Sequence, residues 1–201
     1  MQLYRKHLRN LYLVVGIVLL SATISTAQVK SNLSEKEVSS SAQSKAYYYP
    51  QFKKGKVTFI TGLTSPGILN YNLLNEEVEF IRAKKDTLAL DDMYIVDMIT
   101  IDKDTFFYDT KSAFILKLLD RINDRKLLIK EQHTLAGTEA SNTIKSFYIG
   151  SNTDYLPATT ANFLKLFPTH TNKLKDYIKE NNLELKSEEE IRKLLQYASS
   201  L

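Results

Sequence analysis

In "ILNYNLLNEEVEFI", residues 68–81, apolar side chains recur at every second position, stop at a polar triplet, and then resume. Leu69, Tyr71 and Leu73 fall on one face of an extended segment, and Val78 and Phe80 on one face of the next. Asn75, Glu76 and Glu77 sit where the chain reverses. A period of two cannot make a helical stripe, so this stretch predicts a hairpin. Asn70 and Asn72 then lie on the face opposite Tyr71, at the solvent or against a neighbouring strand.

The same reading extends in both directions. "KVTFIT" at 56–61 alternates through Val57 and Phe59, and "TSPG" at 64–67 supplies turn residues. "DTLALDD", "MYIVDMITI" and "TFFYD" follow, with Asp102-Lys103-Asp104 as a polar reversal. Both faces of "MYIVDMITI" are largely apolar, which predicts a central strand covered on two sides, and Asp97 is then a carboxylate in need of a partner. Residues 113–122 fit a helical stripe as well as a buried strand, through Ile115, Leu116, Leu118, Leu119 and Ile122. Strand is the expectation, because "NDR" at 123–125 followed by "KLLI" suits a hairpin. A loop near 133–143 and a last strand in "IKSFYIG" complete the β-rich part, residues 47–150.

Composition changes at Pro157. Phe163, Leu166 and Phe167 recur at helical spacing up to Pro168, and Leu174, Tyr177 and Ile178 repeat the spacing up to Asn181-Asn182. A third helix is signalled by Ser187 and Glu190 as a capping box, with Ile191, Leu194, Leu195 and Ala198 as its apolar stripe. The helical part, 157–201, must bury that stripe against the sheet. The expected fold class is therefore α+β: an antiparallel meander of about seven to nine strands, curled or partly closed, with two or three C-terminal helices.

The N-terminus reads as an address. Arg5, Lys6 and Arg9 precede the apolar run "LYLVVGIVLL", and small residues lead to Ala27, after which cleavage is expected. The run is about half of the roughly 20 apolar residues that a spanning helix needs, so residues 1–27 read as a removable signal rather than an anchor. Residues 28–46 are rich in Ser, Lys and Glu, with too few apolar groups to offset the entropy of ordering, and read as a flexible linker ahead of one domain at 47–201. The chain has no cysteine, which excludes disulfides, thiolate metal sites and a lipid-modified cysteine. Exported chains without disulfides suit a bacterial envelope, either the periplasm or the cell surface. The signal carries three of the 27 basic residues and none of the 23 acidic ones, so the processed chain is nearly neutral and no nucleic-acid partner is expected.

The array "FKKGKVTF", "LNYNLLNEEVEFI", "DTLAL", "DTFFYD", "PATTANFLKLFP" and "LKDYIKENNLELKSEEEIRKLLQY" resembles a group of uncharacterised exported proteins of the Gram-negative bacterial envelope. The likeness runs from Phe52 to Tyr197 and implies architecture and compartment, with no catalytic or ligand-binding residue to carry over. The group carries more glycine in the loop that reads "LAGTEAS" here.

Chemistry is thinly signalled. His133 and His170 lack the spacing of a metal site, although Glu131 and His133 would share a face of a strand and form the one candidate catalytic pair. Asp102 and Asp104 begin a calcium-loop pattern that fails where Phe106 and Phe107 occupy the next ligand and turn positions. Tyr47, Tyr48 and Tyr49 are candidate ligand-stacking residues, and equally suit the closure of a core edge. No nucleophile or phosphate-loop motif is present, and no cofactor is expected. The leading expectation is a non-enzymatic envelope module for a protein or glycan partner, without membrane insertion of the processed chain and of open oligomeric state. The alternatives are a hydrolase using carboxylates and His133, and a small outer-membrane β-barrel, against which most strands fall short of about 9–11 residues.

Overall fold

The computed structural model describes residues 46–83, 86–136 and 139–201, so the expected signal and all but the last residue of the expected linker lie outside the described residues. Ala46, placed in the linker by composition, is buried, and its carbonyl accepts from the Leu73 amide at 2.7 Å.

The two-residue period yields ten strands: β1 (Lys53–Phe59), β2 (Thr64–Asn72), β3 (Glu77–Ile81), β4 (Thr87–Ala89), β5 (Val96–Ile101), β6 (Asp104–Asp109), β7 (Phe114–Ile122), β8 (Arg125–Ala136), β9 (Glu139–Ser151) and β10 (Asp154–Pro157). They form one antiparallel sheet in the order β10-β9-β8-β7-β6-β5-β1-β2-β3-β4. It is thus two meanders joined through the pairing of β1 with β5, and β4 returns to β5 through a 3-10 turn at Met93–Ile95. The sheet does not close.

Several expectations are corrected. The strand count is ten rather than seven to nine, because the four-residue β10 gives too short a pattern to register. "TSPG" lies inside β2 instead of forming a turn, with Pro66 paired opposite Lys56. The expected loop at 133–143 is occupied by the ends of β8 and β9, which pair from Lys126↔Gly150 to Ala136↔Glu139. Asp97 is exposed: the register slips between Thr58↔Met98 and Phe59↔Val96, leaving Asp97 as the extra residue of a bulge. That bulge turns Val96 to the same side as Ile99 and Ile101, so β5 buries one face fully and not two.

Residues 114–122 of the ambiguous stretch form a strand, β7, and Ala113 closes the turn before it. The hairpin read at 68–81 is present as β2 and β3, paired Leu69↔Phe80 through Asn72↔Glu77, with Glu76 in the left-handed region of its turn.

Neighbours on a strand face opposite ways, and Phe106 and Phe107 of β6 enter different cores. Phe106 meets the Tyr71 ring at 5.7 Å, although β2 lies three strands away, a span of about 14 Å in a flat sheet. Phe107 meets the Tyr155 ring of β10 at 6.4 Å across four strand spacings, about 19 Å if flat. Such contacts require the sheet to curl toward one face before β6 and toward the other face after it. Gly150 permits the second curl, since a Cβ there would come within 2.0 Å of the Asp154 carbonyl oxygen.

Three helices follow: α1 (Thr160–Leu166), α2 (Thr171–Glu180) and α3 (Glu188–Ser200). They cover the convex side of the second curl, where Phe163, Leu174, Ile191, Leu194 and Leu195 pack with Leu127 and Ile149 of the sheet. The capping box is formed: Ser187 Oγ accepts from the Glu190 amide at 3.3 Å, and Glu190 Oε2 accepts from the Ser187 amide at 3.1 Å. Ser187→Ala is expected to lower unfolding free energy by about 1 kcal/mol, read as a shifted urea midpoint at constant slope. Arg192 ties α3 to β7 by bonding Asp120 as well as Glu188.

Candidate functional site

The tyrosine triplet runs along the edge of β2 that faces β1, opposite the edge paired with β3, as Tyr47 bridges Asn72 and the Tyr48 amide donates to the Tyr71 carbonyl at 2.8 Å. Its hydroxyls are engaged within the fold. Tyr47 donates to Glu79 Oε2 at 2.6 Å, Tyr49 donates to Asp104 Oδ2 at 2.6 Å and to the Ile101 carbonyl at 3.0 Å, and Tyr48 accepts from Lys117 Nζ. Asn70 holds Tyr49 by its backbone, accepting from its amide at 3.1 Å and donating to its carbonyl at 2.9 Å. Asn72 donates to Glu79 Oε1 at 2.8 Å. The asparagines of the opening hairpin therefore lie against a neighbouring segment, buried, and not at the solvent.

Asp104 is thus spent on Tyr49, while Asp102 is exposed in the left-handed region of the β5–β6 turn. Among the described residues no group of three or more His, Cys, Asp or Glu side chains could hold a metal ion.

Glu131 and His133 share a face of β8, as the period of two requires, and Lys117 of β7 faces the same way because it pairs with Ile129. Here the first curl touches the second half. The His133 amide donates to the Leu73 carbonyl at 3.0 Å, and Lys130 Nζ lies 2.8 Å from Glu76 Oε2. Glu131 is held 3.4 Å from Lys145 Nζ, and although burial pulls Lys117 down, its bond to and charge contact with Tyr48, with smaller help from Glu131 and Asp104, carry it above the ordinary lysine range. The Tyr71 hydroxyl is buried in this seam, with no hydrogen-bond partner among the described residues. His170 stands apart, at the end of the 3-10 turn before α2.

Sequence reasoning missed two buried lysines on the inner face of the second curl. Lys126 Nζ donates to the Asn152 carbonyl at 2.7 Å and Tyr155 Oη at 3.0 Å and sits 4.1 Å from the Phe107 ring centre, and Lys130 Nζ lies 3.6 Å from that of Phe114. Burial lowers the Lys126 ammonium below its usual range.

It also missed an apolar tip. The turn between β1 and β2 and the 3-10 turn before β5 are tied together where the Ile60 amide donates to the Ile95 carbonyl at 3.0 Å. The pair presents Ile60, Leu63, Tyr94 and Ile95 at 66%, 70%, 68% and 47% exposure. Gly62, with φ +83°, makes the turn that throws Leu63 outward. The alternation read in "KVTFIT" ends at Phe59, the last residue of β1, and gave no signal for the residues beyond it.

The buried tyrosines imply an alkaline limit. Desolvation, then the bond to Glu79, pushes Tyr47 up to about 12 from 10.0. Tyr49, Tyr71 and Tyr155 are raised as well, each chiefly by burial. A raised folded value contributes stability that is complete below pH 10.0 and is lost as pH climbs through about 12. Lys126 has the opposite sign, favouring the fold as pH rises from its lowered value toward 10.5. Thermal melts should therefore hold or improve up to pH 10.0 and decline steeply from there toward about pH 12, alongside a late rise in tyrosinate absorbance. A single tyrosinate transition at the free value, with the fold intact, would contradict this.

No protein-family model, curated protein or solved structure matches the chain. Among the described residues no helix is long and apolar enough to cross a membrane.

Proposed function

We propose that this chain is an exported, non-enzymatic protein of a Gram-negative cell envelope, periplasmic or at the surface, that binds a protein partner through its apolar tip. The single observation that carries the binding is the cluster of Ile60, Leu63, Tyr94 and Ile95, held out on two turns that one hydrogen bond joins. Large apolar side chains grouped at one end of a domain mark an interaction surface, whereas isolated ones do not. The basic start, the apolar run and the small residues up to Ala27 support export, as does the likeness to envelope proteins between Phe52 and Tyr197. The absence of cysteine is in keeping with that compartment.

The test is a photoreactive residue placed at position 63 of the full chain in intact cells, with a control at Lys54 toward the other end of β1. A discrete light-dependent protein adduct from position 63, and none from position 54, is expected. Equal labelling from both positions, or none from position 63 in any growth condition, contradicts the reading.

A further inference from the structure

The tip has a charge pattern as well as an apolar one. From Val57 to Ile81, and again from Asp86 to Asp102, the sequence holds no lysine or arginine. Within the second stretch Asp91, Asp92 and Asp97 are exposed beside Tyr94 and Ile95. Lys53, Lys54 and Lys56 are kept at the start of β1, while its last residue, Phe59, leads into the tip. Lys111, on the β6–β7 turn, is already matched by Asp154 at 2.5 Å. Asp86 lies off the tip in an ion pair with Arg82.

We infer that the partner surface for this tip is a protein recess with an apolar floor and a rim of lysine or arginine. This rests on the proposed binding role of the tip. Ile60 and Leu63 project from a tight turn, a shape that fills a recess, and buried apolar anchors of this kind carry most of an interface's energy. Asp91, Asp92 and Asp97 stand within three residues of Tyr94 or Ile95 along the chain, a reach of about 10 Å at most and comparable with one Debye length, so even with Asp97 also in the field of the buried Lys126 they select by sign. An anionic lipid surface is repelled by them. A second copy meeting tip to tip would set like charges together and is disfavoured in the same way.

The experiment uses the full processed chain and two synthetic peptides of one apolar pattern, one interspersed with lysine and arginine and the other with glutamate and aspartate. Phosphatidylglycerol vesicles form the third arm. The basic peptide is expected to bind at least about tenfold more tightly than the acidic one, and more weakly as salt is raised. Ile60→Ser with Leu63→Ser should abolish that binding, and Asp91→Asn, Asp92→Asn and Asp97→Asn together should remove most of its salt dependence. All five positions are exposed, and unchanged thermal melts verify that the variants fold. Equal binding of the two peptides, no binding of the basic one, binding indifferent to the Ile60 and Leu63 changes, self-association through the tip, or preference for the vesicles overturns the inference. The crosslinking test separates this from the binding role itself. A protein adduct at position 63 on an acidic rim sinks the charge assignment and leaves the role, whereas no adduct sinks both.

Discussion

Phe106→Ala is expected to lower unfolding free energy by about 3–5 kcal/mol, the range for removing a fully buried aromatic ring. Phe106 packs edge-on against Tyr48 at 6.0 Å and against Tyr71 at 5.7 Å, and so fills the space inside the first curl. Loss of the ring removes its transfer energy and leaves a cavity walled by Tyr71, Ile99 and Ile115, which are anchored on separate strands and collapse only in part. Urea unfolding followed by circular dichroism measures the change. A loss under about 1 kcal/mol, the usual cost of a volume-conserving swap, would mean that the first curl is not packed around this ring.

Asn70→Ala is expected to cost about 3 kcal/mol, although it removes a polar side chain and little apolar area. The Asn70 side chain takes the amides of Tyr49 and Tyr71 at 3.1 and 2.9 Å and gives a proton to the Tyr49 carbonyl at 2.9 Å. Its loss strands these backbone groups in a buried place, at about 1–3 kcal/mol for each that water cannot reach. The segment from Tyr47 to Tyr49 should then loosen from β2, freeing Tyr47 from Glu79, so the variant's tyrosines ionise at lower pH than those of the parent. Asn70→Asp separates the roles, because a carboxylate keeps both acceptor bonds and loses only the donor. With its charge buried against the Tyr49 carbonyl it should cost at least as much as alanine at neutral pH, and protonation at low pH, which restores a donor, should recover part of the loss.

What the sequence made legible were features written within one element or one turn. The β2–β3 hairpin, the alternation in β6 and the three helical stripes are all set by side chains two to four residues apart. The capping box at Ser187 and Glu190 needs four residues to be recognised and is present as expected. The pairing of β1 with β5 is not local, since it joins residues about 40 positions apart, such as Val57 and Ile99, with no marker in either strand. The bulge at Asp97 was likewise hidden, because an extra residue is defined only against the partner strand.

Buried charge was the other blind spot. Lys126 and Lys130 break the apolar rule for an inward face; the curl brings Phe107, Tyr155 and Phe114 over their ammonium groups, and the Asn152 carbonyl and the Glu76 carboxylate take their charges. Glu131 and His133 do share a face, as their spacing requires, but Lys145 and Lys117, the cations that Glu131 faces, come from other strands. The tip was illegible for a related reason: Ile60 and Ile95 meet through one backbone bond between turns that lie far apart in the chain.

Two-dimensional NMR of the ring protons tests the opposed curls most directly. Phe106 should show cross-relaxation with Tyr71, and Phe107 with Tyr155, since these ring centres lie 5.7 and 6.4 Å apart. If the pair between Phe107 and Tyr155 is silent while the neighbouring strands β6 and β7 show their normal contacts, the sheet does not turn back on itself beyond β6. The account of its two cores is then wrong.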